Sequence, residues 1–168
     1  MIRKKENFYL NITSQYDLDL AKKLTERGNS LGAAEINKAL KSRIPHGINK
    51  FLSDNNPFIV YENDTYSKNL FIEKLDPDYT IFTDVFFNEM EEYIKLCLLT
   101  LDRLSMSKLS SHESYRIIYA YFAHFYNIIK KQKITAFFFS DLPHGLAQII
   151  QFALAKYLDL RVGYRQII

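Results

Sequence analysis

Apolar positions along the 168-residue chain change period several times. Short apolar runs bounded by turn residues predict strands; apolar residues at three- and four-residue steps predict helices. Phe8 to Ile12 is the first short run and predicts a strand. Thr13-Ser14 then offers N-cap chemistry. Leu18, Ala21 and Leu24 recur at helical spacing from Tyr16 to Arg27, and Gly28 is a natural stop. Ala33 to Arg43 predicts a second helix ended by Pro45. Phe58 to Tyr61 predicts a strand, set between the turn residues Asn55-Asn56-Pro57 and Glu62-Asn63-Asp64. Asp76-Pro77-Asp78 marks a further turn, and Tyr79 to Phe82 reads as a short strand.

The second half is more strongly periodic. Phe87, Met90, Ile94, Cys97, Leu101 and Leu104 form one apolar stripe of a helix over 87–104. Ser110 and Glu113 have capping-box spacing. They open a helix to Lys131 whose stripe is Tyr115, Ile118, Phe122, Phe125 and Ile129. Two long helices joined by a short turn are expected to pack antiparallel. A buried strand follows over Ile134–Phe139, then a polar loop over Ser140–Gly145, an amphipathic helix over Leu146–Leu158, and a strand over Arg161–Ile168.

A strand–helix–strand crossover of this length is normally parallel and right-handed. The predicted fold class is therefore α/β: a Rossmann-like parallel sheet flanked by helices, with a long antiparallel helical hairpin over about 87–131. The length suits one well-buried domain over 1–168. A sheet strand with nothing after it further predicts a truncated gene or a fragment of a longer protein.

The balance of 48% hydrophobic and 24% charged residues is that of a soluble globular chain. A formal net charge of +3 and two short basic clusters, Arg3-Lys4-Lys5 and Lys130-Lys131 with Lys133, give no basic face for nucleic acid. The second cluster suits a helix C-terminus. Cys97 is the only cysteine, so no internal disulfide forms, and its apolar surroundings predict a buried structural thiol. No signal peptide or transmembrane helix is expected. The expected location is cytoplasmic, or peripheral to the inner membrane. Asn11-Ile12-Thr13 matches a glycosylation sequon and is read as chance.

Candidate chemistry gathers in the loop at 140–145, because ligands of open α/β sheets bind at the carboxyl ends of strands. Asp141 and His144 are the candidate catalytic residues, with Ser140 and Gly145 as candidate substrate-binding positions. A histidine there suits a general base or a phosphate contact. Gly145 permits close backbone approach, and Pro143 stiffens the loop. The competing reading is that Asp141 or Ser140 caps the next helix and His144 only packs. Gly28 to Gly32 fits no phosphate-loop spacing and reads as a helix end and turn. Pro45-His46-Gly47 reads as a turn after a helix. His112 and His124 read as structural, and Glu89, Glu91 and Glu92 as a dipole-favoured acidic start to a helix. No metal site and no cofactor are predicted, since no third ligand joins Asp141 and His144.

Three segments carry a resemblance: Leu101-Asp102-Arg103-Leu104, Ser111-His112-Glu113-Ser114-Tyr115-Arg116, and FFFSDLPHG ending at Gly145. From about Leu98 onward the chain resembles uncharacterised bacterial proteins encoded with capsule and surface-polysaccharide genes, a family similar to GT-B glycosyltransferases. The resemblance implies the acceptor-side N-terminal domain of a glycosyltransferase-like protein, inactive alone, with His144 facing an interdomain cleft. It implies a nucleotide sugar or glycan acceptor as ligand, and a separate C-terminal domain or protein partner. The alternative is a non-catalytic Rossmann-like binding or assembly module acting through a protein interface, with a homodimer formed at the strand edge of Ile167-Ile168.

Overall fold

The computed structural model describes residues 5–36, 47–61, 75–104, 109–139, 142–143 and 145–164. They fall into two compact units. The first holds five strands and two helices: β1 (Asn7–Ile12), α1 (Gln15–Glu26), β2 (Ser30–Ile36), α2 (Ile48–Asn55), β3 (Phe58–Tyr61), β4 (Ala136–Phe139) and β5 (Arg161–Tyr164). The second holds a short 3-10 helix (Tyr79–Ile81), α3 (Asp84–Leu104), α4 (Ser111–Lys131, as far as Ile129) and α5 (Leu146–Tyr157).

The strands form one sheet in the order β3-β2-β1-β4-β5, and every neighbouring pair is parallel. The predicted α/β class, a parallel sheet flanked by helices, is what the chain adopts. Alternation along β1 sends Phe8, Leu10 and Ile12 to one face of the sheet. There they join Leu18 and Ala21 of α1, Ile48 and Phe51 of α2, and Leu31, Ala34 and Ile36 of β2 in one core. Tyr9 and Asn11 take the other face.

Along that other face runs a chain of aromatic rings. Tyr9 stacks on Phe137 at 4.9 Å, Phe137 on Phe139 at 5.9 Å, and Phe139 on Tyr164 at 6.0 Å. A polar network ties the amino edge of the same sheet together. The Asn7 N–H donates to the Thr135 hydroxyl oxygen at 2.9 Å, and that hydroxyl donates to Glu6 at 2.6 Å. Arg161 pairs with Glu6 at 2.6 Å.

The structure corrects the sequence reading in three places. Ser30 to Ile36 is a strand, where the sequence reads a turn as far as Gly32 and a helix from Ala33; 37–43 lie outside the described residues. Ala33, Ala34 and Glu35 favour helices intrinsically, but β2 is paired on both sides, and burial overrides propensity. The register slips by one residue between Phe8 and Tyr9, leaving Gly32 as a bulge. A Cβ there would come within 2.7 Å of the side-chain ends of Asn7 and Ile134, which would have to shift to admit it.

Tyr79 to Ile81 forms a 3-10 helix rather than a strand. The Asp78 carboxylate accepts from the Thr80 N–H at 3.0 Å and its hydroxyl at 2.6 Å, which caps a turn. Helix α2 over 48–55 has no counterpart in the sequence reading. Its N-cap, Gly47, has φ of 81° and supplies no side-chain signal.

In the second unit, Phe86 replaces Phe87 as the first buried residue of the α3 stripe, followed by Met90, Ile94 and Cys97. Phe86 meets Tyr157 and Tyr93 meets Phe152, so α3 and α5 run antiparallel. Ring contacts of α3 with α4 gather at Phe86, Phe87, Tyr119 and Phe122. The predicted capping box is present: Glu113 accepts from the Ser110 N–H at 2.9 Å, and the Ser110 hydroxyl oxygen accepts from the Glu113 N–H at 3.3 Å. No described helix is long and apolar enough to cross a membrane.

Candidate functional site

The strand order places a switch point at β1 and β4. From β1 the sheet grows one way through β2 and β3, and the other way through β4 and β5. In such sheets the crevice outside the carboxyl ends of those strands is where ligands bind.

Of the loop residues singled out from sequence, Ser140, Asp141 and His144 lie outside the described residues. Gly145 is described. It is the N-cap of α5, with φ of −90°, so the cap of that helix is neither Ser140 nor Asp141. Glycine has no side chain to cap with. Instead the Gln148 side chain reaches back to the Gly145 N–H at 3.5 Å. Among the described residues, an added Cβ at Gly145 would meet only Gln148, at 3.8 Å.

The other candidates have structural roles. His124 is buried, and its Nδ1 accepts from the Asp76 N–H at 3.3 Å. Asn127 donates to the Asp76 carbonyl at 2.6 Å, so together they clamp the segment before the 3-10 helix. Burial lowers the His124 pKa, against a smaller opposing pull from Asp76. His112 and Glu89 are exposed on their helices. Glu91 and Glu92 pair with Lys95 at 2.9 Å and 3.0 Å on the solvent face of α3. Their hydrogen bonds push the lysine up to about 12. Burial pushes the Cys97 thiol up to about 12, in keeping with the structural reading. Among the described residues no group of three or more His, Cys, Asp or Glu could hold a metal ion.

The polar groups that the fold brings to the carboxyl half of the sheet lie on β1 and β2. Asn11 and Glu35 are register partners on adjacent strands. They are 2% and 1% exposed. The Tyr9 hydroxyl donates to Glu35 at 3.1 Å. Both polar atoms of the Asn11 amide are buried with no hydrogen-bond partner. An orphaned buried amide costs about 1–3 kcal/mol, so it calls for an explanation. Asn11 sits two residues beyond Tyr9, whose partner on β4 is Phe137, so strand alternation puts it on the sheet face that carries the aromatic chain. Sequence reasoning passed over Asn11 as part of a chance sequon. The available signal was its alternation with Leu10 and Ile12, which puts a polar residue inward on a buried strand.

The loop after β1 is closed by its own side chains. Ser14 is the N-cap of α1, as predicted, and its hydroxyl oxygen accepts from the Asp17 N–H at 3.3 Å. The Asp17 carboxylate turns back over the loop and takes hydrogen bonds from Thr13 and Ser14.

Comparison with known proteins assigns no family to the chain. No family model matches the chain, and no curated protein matches it. A solved structure described as a CDPS (cyclodipeptide synthase) from Fluoribacter dumoffii is similar at 12% identity, over 95% of this chain and 88% of that one, with a TM-score of 0.36. A likeness at that level assigns no chemistry to this chain. The resemblance to GT-B capsule proteins is not upheld: no family model and no curated protein matches the chain, and the structure found is described as a CDPS. FFFSDLPHG and its companion segments are too short to establish a family. A buried strand followed by a polar turn and a helix recurs in any parallel α/β sheet. The places that the resemblance lent to His144 and Asp141 lose that support.

Proposed function

We propose that this chain is a Rossmann-like binding module for a small organic ligand, held at the carboxyl end of β1 and β2. Asn11 carries the reading. It is the penultimate residue of the central strand, at the switch point, with donor and acceptor both buried and unused. A ligand presenting one acceptor and one donor would satisfy the amide and offset its desolvation. The aromatic chain of Tyr9, Phe137, Phe139 and Tyr164 supplies the apolar wall that small-molecule sites favour beside a few polar groups. No reaction is assigned, since the described residues bring no nucleophile and base together there.

Asn11→Leu tests the reading, because the side chains are close in volume and leucine has no polar atoms to satisfy. The variant is expected to be more stable than the wild type by about 1–2 kcal/mol in urea unfolding. It should also lose any thermal stabilisation that the wild type shows against a panel of nucleosides, monosaccharides and amino acids. A destabilised variant would mean that Asn11 serves the fold, and the proposal would fail.

A further inference from the structure

The turn from β1 into α1 is the place where a sheet of this order commonly receives a phosphate, because the first turn of the helix offers backbone donors. In this chain the turn that leads into it already holds a carboxylate. Asp17 is 1% exposed. Its Oδ2 accepts from the Thr13 N–H at 3.1 Å, the Thr13 hydroxyl at 3.0 Å and the Ser14 hydroxyl at 2.7 Å. Three donors converging on one anionic oxygen is the arrangement a bound phosphate oxygen would have. The Asp17 Oδ1 is buried and has no hydrogen-bond partner.

From this geometry we infer that Asp17 is a resident anion that determines specificity: it occupies the phosphate position of the β1–α1 turn and restricts the site to unphosphorylated ligands. Two observations carry this. The Thr13 N–H and the Thr13 and Ser14 hydroxyls, the donors of the turn itself, are spent on Oδ2, and the remaining oxygen keeps a negative group in a buried place with no cation beside it among the described residues. A second anion there would meet like charge at low dielectric, where repulsion is strong. The glycines of dinucleotide-binding turns, which let phosphate approach the backbone, are replaced here by Thr13-Ser14-Gln15-Tyr16.

The inference rests on the preceding reading only for where the ligand sits. Its test uses inorganic pyrophosphate and leaves Asn11 untouched, so failure of one is separable from failure of the other. Calorimetric titration of the wild type with pyrophosphate is expected to show no binding at millimolar concentration. Asp17→Asn keeps the shape of the side chain and removes its charge. It is expected to bind pyrophosphate at least about tenfold more tightly than the wild type. Asp17→Ser is the second variant, for the case in which the asparagine does not fold. Wild-type protein that binds pyrophosphate at micromolar concentration overturns the inference without any variant. So does a folded variant whose affinity equals that of the wild type.

Discussion

Across the two adjacent parallel strands β1 and β2, the Tyr9 hydroxyl donates to Glu35 at 3.1 Å, and both side chains are buried. A carboxyl group in such a place depends on its donors. Tyr9→Phe keeps the ring, its stacking on Phe137 and its volume, and removes only the donor. The expected loss is about 1–3 kcal/mol of stability, read from the urea midpoint at neutral pH. A Glu35→Gln background should shrink that loss, because a neutral partner needs the donor less. Equal losses in both backgrounds would mean that the pair contributes nothing specific.

Packing between β4 and β5 depends on a missing side chain. A Cβ at Gly163 would lie 2.7 Å from the Phe138 ring, and that ring packs edge-on against Phe8 at 5.9 Å. Gly163→Ala is expected to destabilise by about 1–3 kcal/mol through overpacking. Phe138→Leu should recover part of that loss in the double variant, a coupling that a double-mutant cycle measures. Additive effects would show that the ring moves aside without strain.

His124 gives stability a definite pH dependence. Its folded-state pKa is lowered from 6.5, first by burial. Below 6.5 the unfolded chain therefore binds the proton more readily than the folded one. The contribution is present above that value and is lost as pH falls through the window beneath it. The urea midpoint should drop between about pH 7.5 and pH 5.5, and less steeply in His124→Gln. Identical slopes would remove His124 as the cause.

Cys97 is buried on α3, with its thiol pushed up to about 12 by burial. At pH 8 it holds almost no thiolate. Alkylation by a thiol reagent is expected to be negligible in the folded protein and rapid in urea. Fast labelling without denaturant would show that the second unit opens locally.

The legible parts of the fold are those whose signal is local. Ser14 before α1 and the Ser110–Glu113 pair before α4 are side-chain caps, and each appears where the sequence placed it. β2 is not legible from sequence because Ala33, Ala34 and Glu35 take their conformation from strands on either side, which no local pattern encodes. α2 begins at a glycine that leaves no cap to read. The site was legible only as a region. The strand and loop pattern points to the carboxyl edge of the sheet, where the residue types richest in chemistry are Asp141 and His144 of the following loop. Asn11 and Asp17 stand out only once burial and hydrogen bonding are known. Even so, Ser14 and Asp17 have the Ser-x-x-Asp spacing of a capping box, and that spacing was available in the sequence.

The central position of β1 sets an order in time. Its β2 neighbour follows after a single helix, so β1, α1 and β2 close on one another early. Its other neighbour, β4, pairs Phe8 with Ala136 and Leu10 with Phe138. Asn7 and Thr135, at the start of this pairing, are 128 positions apart; loops that long close late, and parallel pairing across them is slow. During synthesis one edge of β1 stands open until that distant strand emerges from the ribosome. In that interval it is exposed to pairing with another chain, so the half-made protein is more prone to aggregate than the finished one.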